Sequence, residues 1–267
     1  MPTMPPDFKR KIWSYYRRFG RCFPWRKTRD PYRILVSEIM LQQTQVARVK
    51  KKYPEFLRAF PTVRSLARAP LSKVLRAWQG MGYNRRAPFL KRSAETIVKK
   101  FGGKVPSGQA ELEALPGIGH ATASAIRAFA FNAPAVFIET NIRRVFIHFF
   151  FANKKKINDK EILLLVEKTL DRARPREWYS ALMDYGAMLG EKGENPNRKS
   201  AHYVRQSVFR GSRRELRGKI MRILLEKKFF SAEAIFKALQ DERTEGTLRA
   251  LVREGLVRKR KSSFSLG

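Results

Sequence analysis

With 267 residues and a formal net charge of +34, from 57 Lys and Arg against 23 Asp and Glu, the chain is long enough for a sizeable core and carries a field that draws polyanions. Nucleic acid is the expected partner; an anionic membrane is the rival, opposed by the absence of a bilayer-length apolar run and of a lipidation signal. The single cysteine, Cys22, excludes an internal disulfide and an all-thiolate metal cluster, and His120, His148 and His202 share no ligand spacing, so no protein metal site is expected.

The opening MPTMPPDFKRKIW has no apolar signal core, which predicts an intracellular protein. Residues 7 to 20 read as a basic, aromatic helix (Phe8, Ile12, Trp13, Tyr16), broken by Phe23-Pro24-Trp25-Arg26. Asp30-Pro31 is a strong helix start, and one helix is expected from there through IMLQQTQVARVKKKY. Glu38 falls among its apolar positions Ile34, Leu35, Ile39 and Val46. A carboxyl there loses hydration, and its pKa rises enough to hold a proton near neutral pH.

Short helices follow at 62 to 69, with Thr62 as cap, and at 72 to 79, with Val74, Leu75 and Trp78 inward. The loop Gly80-Met81-Gly82-Tyr83 presents an aromatic ahead of Asn84-Arg85-Arg86. That pattern suits a tyrosine stacked on a base beside phosphates, and equally a core tyrosine after a turn. A helix at 89 to 101 ends at Gly102-Gly103, and Ser107 begins a short helix leading to the turn Pro116-Gly117-Ile118-Gly119. Its two glycines let backbone approach a ligand, and the apolar helix behind it (Ala121, Ala123, Ile126, Ala128, Phe129) turns its N-terminus toward an anion. Glu139 stands just past Val136-Phe137-Ile138, where a carboxylate points to chemistry beside a bound backbone; the plainer reading is a turn between helices followed by a helix-starting acid.

Helices are expected at 140 to 151, 159 to 172 and 177 to 189, then a polar turn over 190 to 200 and a basic helix through Tyr203, Val204 and Phe209 to Gly211. Residues 212 to 267 read as a separate small domain: helices at 213 to 228, 231 to 240 and 244 to 254, then a two-stranded basic hairpin. It resembles a winged helix-turn-helix, with helix 244 to 254 approaching DNA and the wing touching backbone; a helical cap is the alternative.

Four blocks, PWRKTRDPYRILVSEIMLQQTQV, GMGYNRRA, LPGIGHATASAI and ETNIRRV, occur in order within a stretch, residues 8 to 210, that resembles the helix-hairpin-helix DNA glycosylases, most closely the MutY-type adenine-mismatch enzymes. The resemblance implies an all-α, two-lobed fold over residues 1 to 211, with a six-helix lobe over about 28 to 130, a second lobe from 1 to 27 and 131 to 211, and the winged-helix-like domain appended. Glycosidic cleavage needs an acid for the leaving base and a carboxylate beside the oxocarbenium-like sugar. Glu38 matches the acid, Glu139 stands where the family usually has Asp, and Asn141 matches a polar helper. Trp25 and Arg26 match residues around the extruded base, and Gln43 and Tyr83 match groups that enter the stack. The DNA-binding set is completed by Gln42, Thr44, Met81, Arg85, Arg86, Pro116, Gly117, Ile118, Gly119, His120 and Ala121.

Ala121 occupies the position of the Schiff-base lysine of bifunctional relatives, which implies a monofunctional enzyme. The C-x6-C-x2-C-x5-C pattern that holds an iron-sulfur cluster in most relatives reads Gly190, Asn197, Ser200 and Gln206, so no cluster is expected, with Tyr203, Val204 and Phe209 packing in its place. A monovalent cation at the hairpin carbonyls is the only bound ion expected. Ser180 falls where some relatives have Glu or Gln near the adenine, and a Nudix-like C-terminal domain is missing. The resemblance thus implies a base excision repair enzyme acting as a monomer on duplex DNA that holds a mismatched base, cytoplasmic, and nucleoid-associated in a prokaryote. Adenine opposite 8-oxoguanine or G comes first; thymine or uracil opposite guanine, or a deaminated base, is the alternative. A non-catalytic DNA-binding protein on the same fold is the third.

Overall fold

The computed structural model describes residues 4–191, 193, 195–226 and 229–267. In chain order the helices are α1 (Phe8–Phe19), α2 (Pro31–Leu41), α3 (Val46–Ala59), α4 (Val63–Arg68), α5 (Leu71–Ala77), α6 (Arg86–Phe101), α7 (Gln109–Glu113), α8 (His120–Phe131), α9 (Thr140–Phe150), α10 (Asp159–Thr169), α11 (Pro175–Glu191), α12 (Arg213–Glu226), α13 (Ala232–Leu239) and α14 (Thr244–Arg253). Strands β1 (Phe230–Ser231), β2 (Val257–Arg260) and β3 (Ser263–Leu266) complete the chain.

Contacts divide the chain into two compact units. The first takes residues up to Glu38, Pro106–Ala114 and Ile118–Arg205. Its core is aromatic: Phe8 of α1 meets Phe146, Phe150 and Trp178 with ring centroids 5.0 to 6.0 Å apart, which anchors the N-terminal helix on α9 and α11. Pro175 starts α11, two residues before the expected 177, where its missing N–H costs nothing.

The second unit takes Ile39–Val105, Leu115–Gly117 and Gln206–Gly267. Phe56, Phe60 and Trp78 form one buried aromatic group in it. Thr62 and Ser65 form the capping box that starts α4. This partition differs from the expected one, which kept 28 to 130 together and set 212 to 267 apart. The tail packs on α5, where the Arg76 guanidinium donates to Leu225 O at 2.6 Å, and Arg217 and Arg85 converge on Glu254 at 2.5 and 3.9 Å. Within the tail three helices accompany a three-stranded sheet of order β1-β3-β2, with β1 added antiparallel to β3 where only a two-stranded hairpin was expected. The expected end of α12 at 228 falls on Lys227 and Lys228, outside the described residues.

Two expected helices come out differently. The long helix from Pro31 is cut at Gln42–Gln45, where Gln43 takes a left-handed φ of 51°. The cause is a tertiary cap: Arg86 Nη1 donates to the carbonyls of Ile39, Met40 and Gln42 at 2.7 to 2.8 Å, satisfying the C-terminus of α2. The stretch 201 to 211 is irregular rather than helical, and Val204 and Phe209 are 85% and 60% exposed instead of packed. Three or four apolar side chains at helical spacing do not hold a helix that has no apolar surface to lie on.

Candidate active site

Glu38 lies on α2 at 8% exposure, and Glu139 is the N-cap residue of α9 with extended backbone. Both belong to the first unit. Burial pushes the Glu38 carboxyl well above the usual range, the nearby Glu139 charge pushes it further, and Arg26 pulls back less strongly. Burial raises Glu139 to about 7. Two carboxyls that feel one another in a poorly hydrated site do not both ionise readily, and the more deeply buried Glu38 keeps the proton. The Glu139 carbonyl accepts from Arg143 N at 2.8 Å, but its side chain makes no capping hydrogen bond, so the carboxyl oxygens stay available to a ligand while the helix N-terminus favours the charged form.

The segment before Glu139 is held from behind. Tyr179 of α11 stacks on Phe137 with centroids 4.1 Å apart, and its hydroxyl donates to Ala135 O at 2.5 Å. At Gly186 α11 approaches α9 so closely that a Cβ would stand 2.7 Å from the Asn141 carbonyl carbon, which requires glycine there. Asn141 Oδ1 accepts from Arg144 Nη1 at 2.8 Å, and the same nitrogen donates to Gly186 O at 2.5 Å.

Arg26 is committed rather than free in a base pocket. It donates to both oxygens of the fully buried Asp184 at 2.7 and 2.9 Å and to Arg21 O at 2.9 Å. Arg21 holds Asp184 as well, through Nε at 2.7 Å and its backbone N–H at 2.8 Å. Trp25 is buried and stacked on Phe23 at 5.0 Å, and both guanidinium groups lie over the Phe23 ring. Arg21, Phe23 and Asp184 escaped the sequence reading. The signal was present for Asp184, a carboxylate within the apolar run ALMDYGAML, since a charge in such a run is buried only with partners. Arg26, Ser180 and Glu177 also line an open basin of ≈ 250 Å³ with Tyr16, Lys27, Arg29 and Arg176.

In the second unit Gln42, Gln43 and Thr44 meet the 80–83 loop through one residue. Arg86, 7% exposed, donates not only to the end of α2 but also to Thr44 Oγ1 at 2.8 Å and Gly82 O at 3.1 Å. Its donors are spent inside, and Met81 is fully buried, so both side chains are turned inward rather than presented on the surface as the DNA-binding reading expects, and they shape the loops. Desolvation lowers Arg86 to about 10 and still leaves it charged at neutral pH. Gln43 and Tyr83 are the residues these loops present, Tyr83 at 38% exposure with a φ of 45°. The Tyr83 hydroxyl accepts from Gln206 Nε2 at 2.6 Å. Arg85 is exposed.

At the hairpin, Gly117 has φ 79° and lies against Phe89, where a Cβ would stand 2.7 Å from the Phe89 Cβ. Pro116 O accepts from Ser93 Oγ at 2.8 Å, and Ile118 is buried, so these two anchor the turn. Gly119, the N-cap of α8, faces open space, and His120 next to it is exposed with Nδ1 2.8 Å from Glu113. Ala121 packs on the aromatic core.

The four cluster positions supply glycine, asparagine, serine and glutamine and no thiolate, so these residues do not fit an iron-sulfur group. The loop is closed by other means. Ile157 exchanges backbone hydrogen bonds with Lys199 and Ala201 at 2.9 Å, Asn197 donates to Thr140 O at 3.0 Å, and the Arg144 guanidinium carbon lies 2.7 Å from where a Gly190 Cβ would stand.

Comparisons with known proteins agree with this geometry. A model of the HhH-GPD superfamily of base excision DNA repair proteins matches residues 36–171. The adenine DNA glycosylase of Buchnera aphidicola subsp. Baizongia pistaciae is 39% identical over 187 residues, covering 68% of this chain and 52% of its own. The thymine/uracil-DNA glycosylase of Methanothermobacter thermautotrophicus is 31% identical over 185 residues, covering 68% and 84%. The chain thus spans about half the length of the Buchnera adenine glycosylase and most of the thymine/uracil enzyme. The structure of a thermostable thymine-DNA glycosylase matches with a TM-score of 0.60 at 29% identity, over 68% of this chain and 85% of that one. A trapped endonuclease III–DNA covalent intermediate, at TM-score 0.54 and 23% identity over 71% and 88%, shares the fold. With the carboxyls on α2 and at the start of α9, the glycine hairpin between them and a family match that spans all three, the chain belongs to the HhH-GPD superfamily of base excision DNA repair proteins.

Proposed function

We propose that the chain is a monofunctional DNA N-glycosylase that removes a mispaired base, adenine first, from duplex DNA. The observation that carries the reading is the Glu38–Glu139 pair: one carboxyl kept protonated by burial, a second nearby that ionises near neutrality. Glu38 donates its proton to a ring nitrogen of the leaving purine as the C1′–N bond breaks and its electron pair goes to the base. Glu139, ionised, stabilises the positive charge on the sugar. Water then adds to C1′ and gives up its proton to a carboxylate, leaving free base and an abasic site. Ala121 offers no amine for a Schiff base, so strand cleavage does not follow.

A purine leaving group needs the buried acid more than a pyrimidine, which departs as an anion; that favours adenine. The second reading, thymine or uracil opposite guanine, is supported by the fuller coverage of the thymine/uracil relative and by a short Ser180 in the basin beside Arg26. We further propose that the enzyme works as a monomer in the compartment of its DNA and without a cofactor, a monovalent cation at the hairpin being its one optional ion. Excision on a duplex panel holding A:8-oxoguanine, A:G, A:C, T:G, U:G and hypoxanthine pairs tests the whole. Release of adenine, with nicking only after alkali, is expected; release of thymine or uracil alone selects the second reading, and no release from any duplex overturns the enzyme assignment.

A further inference from the structure

The tail offers two basic surfaces, the exposed side of α14 and the β2–β3 hairpin, and their charges are disposed differently. On and before α14 two cations are matched, Arg243 gripping Asp241 with a fork of 2.9 and 2.6 Å and Arg249 pairing with Glu245 at 3.0 Å, while Arg253 in the last turn has no carboxylate partner among the described residues. Glu242 adds a further exposed acid at the N-terminal end of the helix. A phosphate approaching that end meets carboxylates first.

The hairpin is the reverse. Arg258, Lys259, Arg260 and Lys261 are consecutive and exposed, and among the described residues none of them has a carboxylate partner. The strand period places Arg258 and Arg260 on one face and Lys259, which lies 6.0 Å from the Phe264 ring centroid, on the other, with Lys261 at the tip in a left-handed conformation. Charge therefore surrounds the tip. A lysine or proline suffices to guard an edge strand such as β2 against pairing; four uncompensated cations exceed that need.

We propose that the β2–β3 hairpin, and not the exposed face of α14, is the surface by which the tail binds duplex DNA, gripping the phosphate backbone without reading sequence. The inference takes its partner from the DNA reading above but not its carboxyl chemistry, so undamaged duplex is the probe. Anisotropy titrations of a labelled undamaged duplex are run on the full chain across a salt series. Arg258→Gln/Lys259→Gln/Arg260→Gln/Lys261→Gln should weaken binding about tenfold or more near 0.1 M salt and lower the slope of log K against log salt by about 3, as expected for a loss of three to four phosphate contacts. Arg249→Gln should leave affinity within about twofold, since its charge is matched by Glu245. Far-UV circular dichroism checks folding, and Arg258→Gln/Arg260→Gln, which spares the Lys259–Phe264 contact, serves if the fourfold variant does not fold. Unchanged binding in the hairpin variants, a larger loss in the α14 variant, a hairpin variant altered only in oligomeric state, or loss of binding to anionic vesicles but not to duplex would each overturn the proposal. Because base release plays no part in these measurements, a failure of the glycosylase reading is separately visible on the mismatch panel.

Discussion

Two groups of buried carboxyls lie in the same unit and meet opposite fates. Asp184, fully buried, faces two guanidinium groups and a backbone N–H and is the anchor around which the Arg21–Arg26 segment is built. Among the described residues Glu38 and Glu139 make no such ion pair; burial raises both toward the proton, the Glu139 charge adds to this at Glu38, and Arg26 offsets it there only in part. Burial supplies the desolvation in both places; the partner decides whether the outcome is structure or acid chemistry. Arg86 is the counterpart of opposite sign, a buried cation balanced by carbonyl dipoles instead of by a carboxylate.

The sharpest way to break this contrast is Glu38→Gln. It should lower single-turnover excision by about a thousandfold or more, within the range of a lost general acid, while duplex affinity stays within about twofold; excision at the parent rate would remove Glu38 from the mechanism. Asp184→Asn is expected to act on the other arm. By leaving two guanidinium groups without their carboxylate it should cost about 3 kcal/mol in urea unfolding, and stability equal to the parent would show that the cluster is not a structural centre.

Arg86→Met removes a guanidinium that serves both loops of the second unit. We expect about 2 to 4 kcal/mol of destabilisation from the carbonyls left unpaired, together with loss of the Gln43 and Tyr83 loop geometry, read as weaker mismatch binding. An intact mismatch Kd in a folded variant would refute the positioning role.

The pH profile provides a finer test. On the proposed mechanism excision needs Glu139 ionised and Glu38 protonated, so the rate should fall as pH drops below about 7, where Glu139 takes up a proton, and fall again at higher pH as Glu38 loses its own. Glu139→Gln should remove the acidic limb along with most of the activity. The smallest effect is on stability. A carboxyl raised in the folded state binds more protons there than when unfolded, so its presence lowers stability as pH climbs from its unfolded value through its folded one. Glu38→Gln should consequently raise the Tm at pH 8 and have little effect near pH 4; a Tm loss at both values would mean that the side chain is held by contacts absent from this account.

Most of what places the site was legible along the chain. Glu38 within an apolar stripe, the paired glycines at 117 and 119, the N-cap position of Glu139 and the capping threonine at 62 are local patterns, and local patterns survive folding because helix periodicity and backbone φ are set by neighbours in sequence. The helix expected to run on past Leu41, the helix expected over 201 to 211 and the surface position expected of the Met81 and Arg86 side chains failed for one reason. Each turns on what lies across space: a guanidinium from forty residues away that caps α2, or an apolar surface that never meets Val204 and Phe209.

The sequence by itself therefore determined the family, the two candidate carboxyls at 38 and 139 and the missing lysine and thiolates, since these depend on which residue occupies which position. The tertiary structure alone decided that Arg26 is held by Asp184, that Arg86 is an internal clamp, that the tail shares a unit with residues 39 to 105 and that its uncompensated charge lies on the hairpin. Partnering of charges is a property of distance in space, and Arg26 and Asp184 lie 158 residues apart in the chain, beyond the reach of any periodicity.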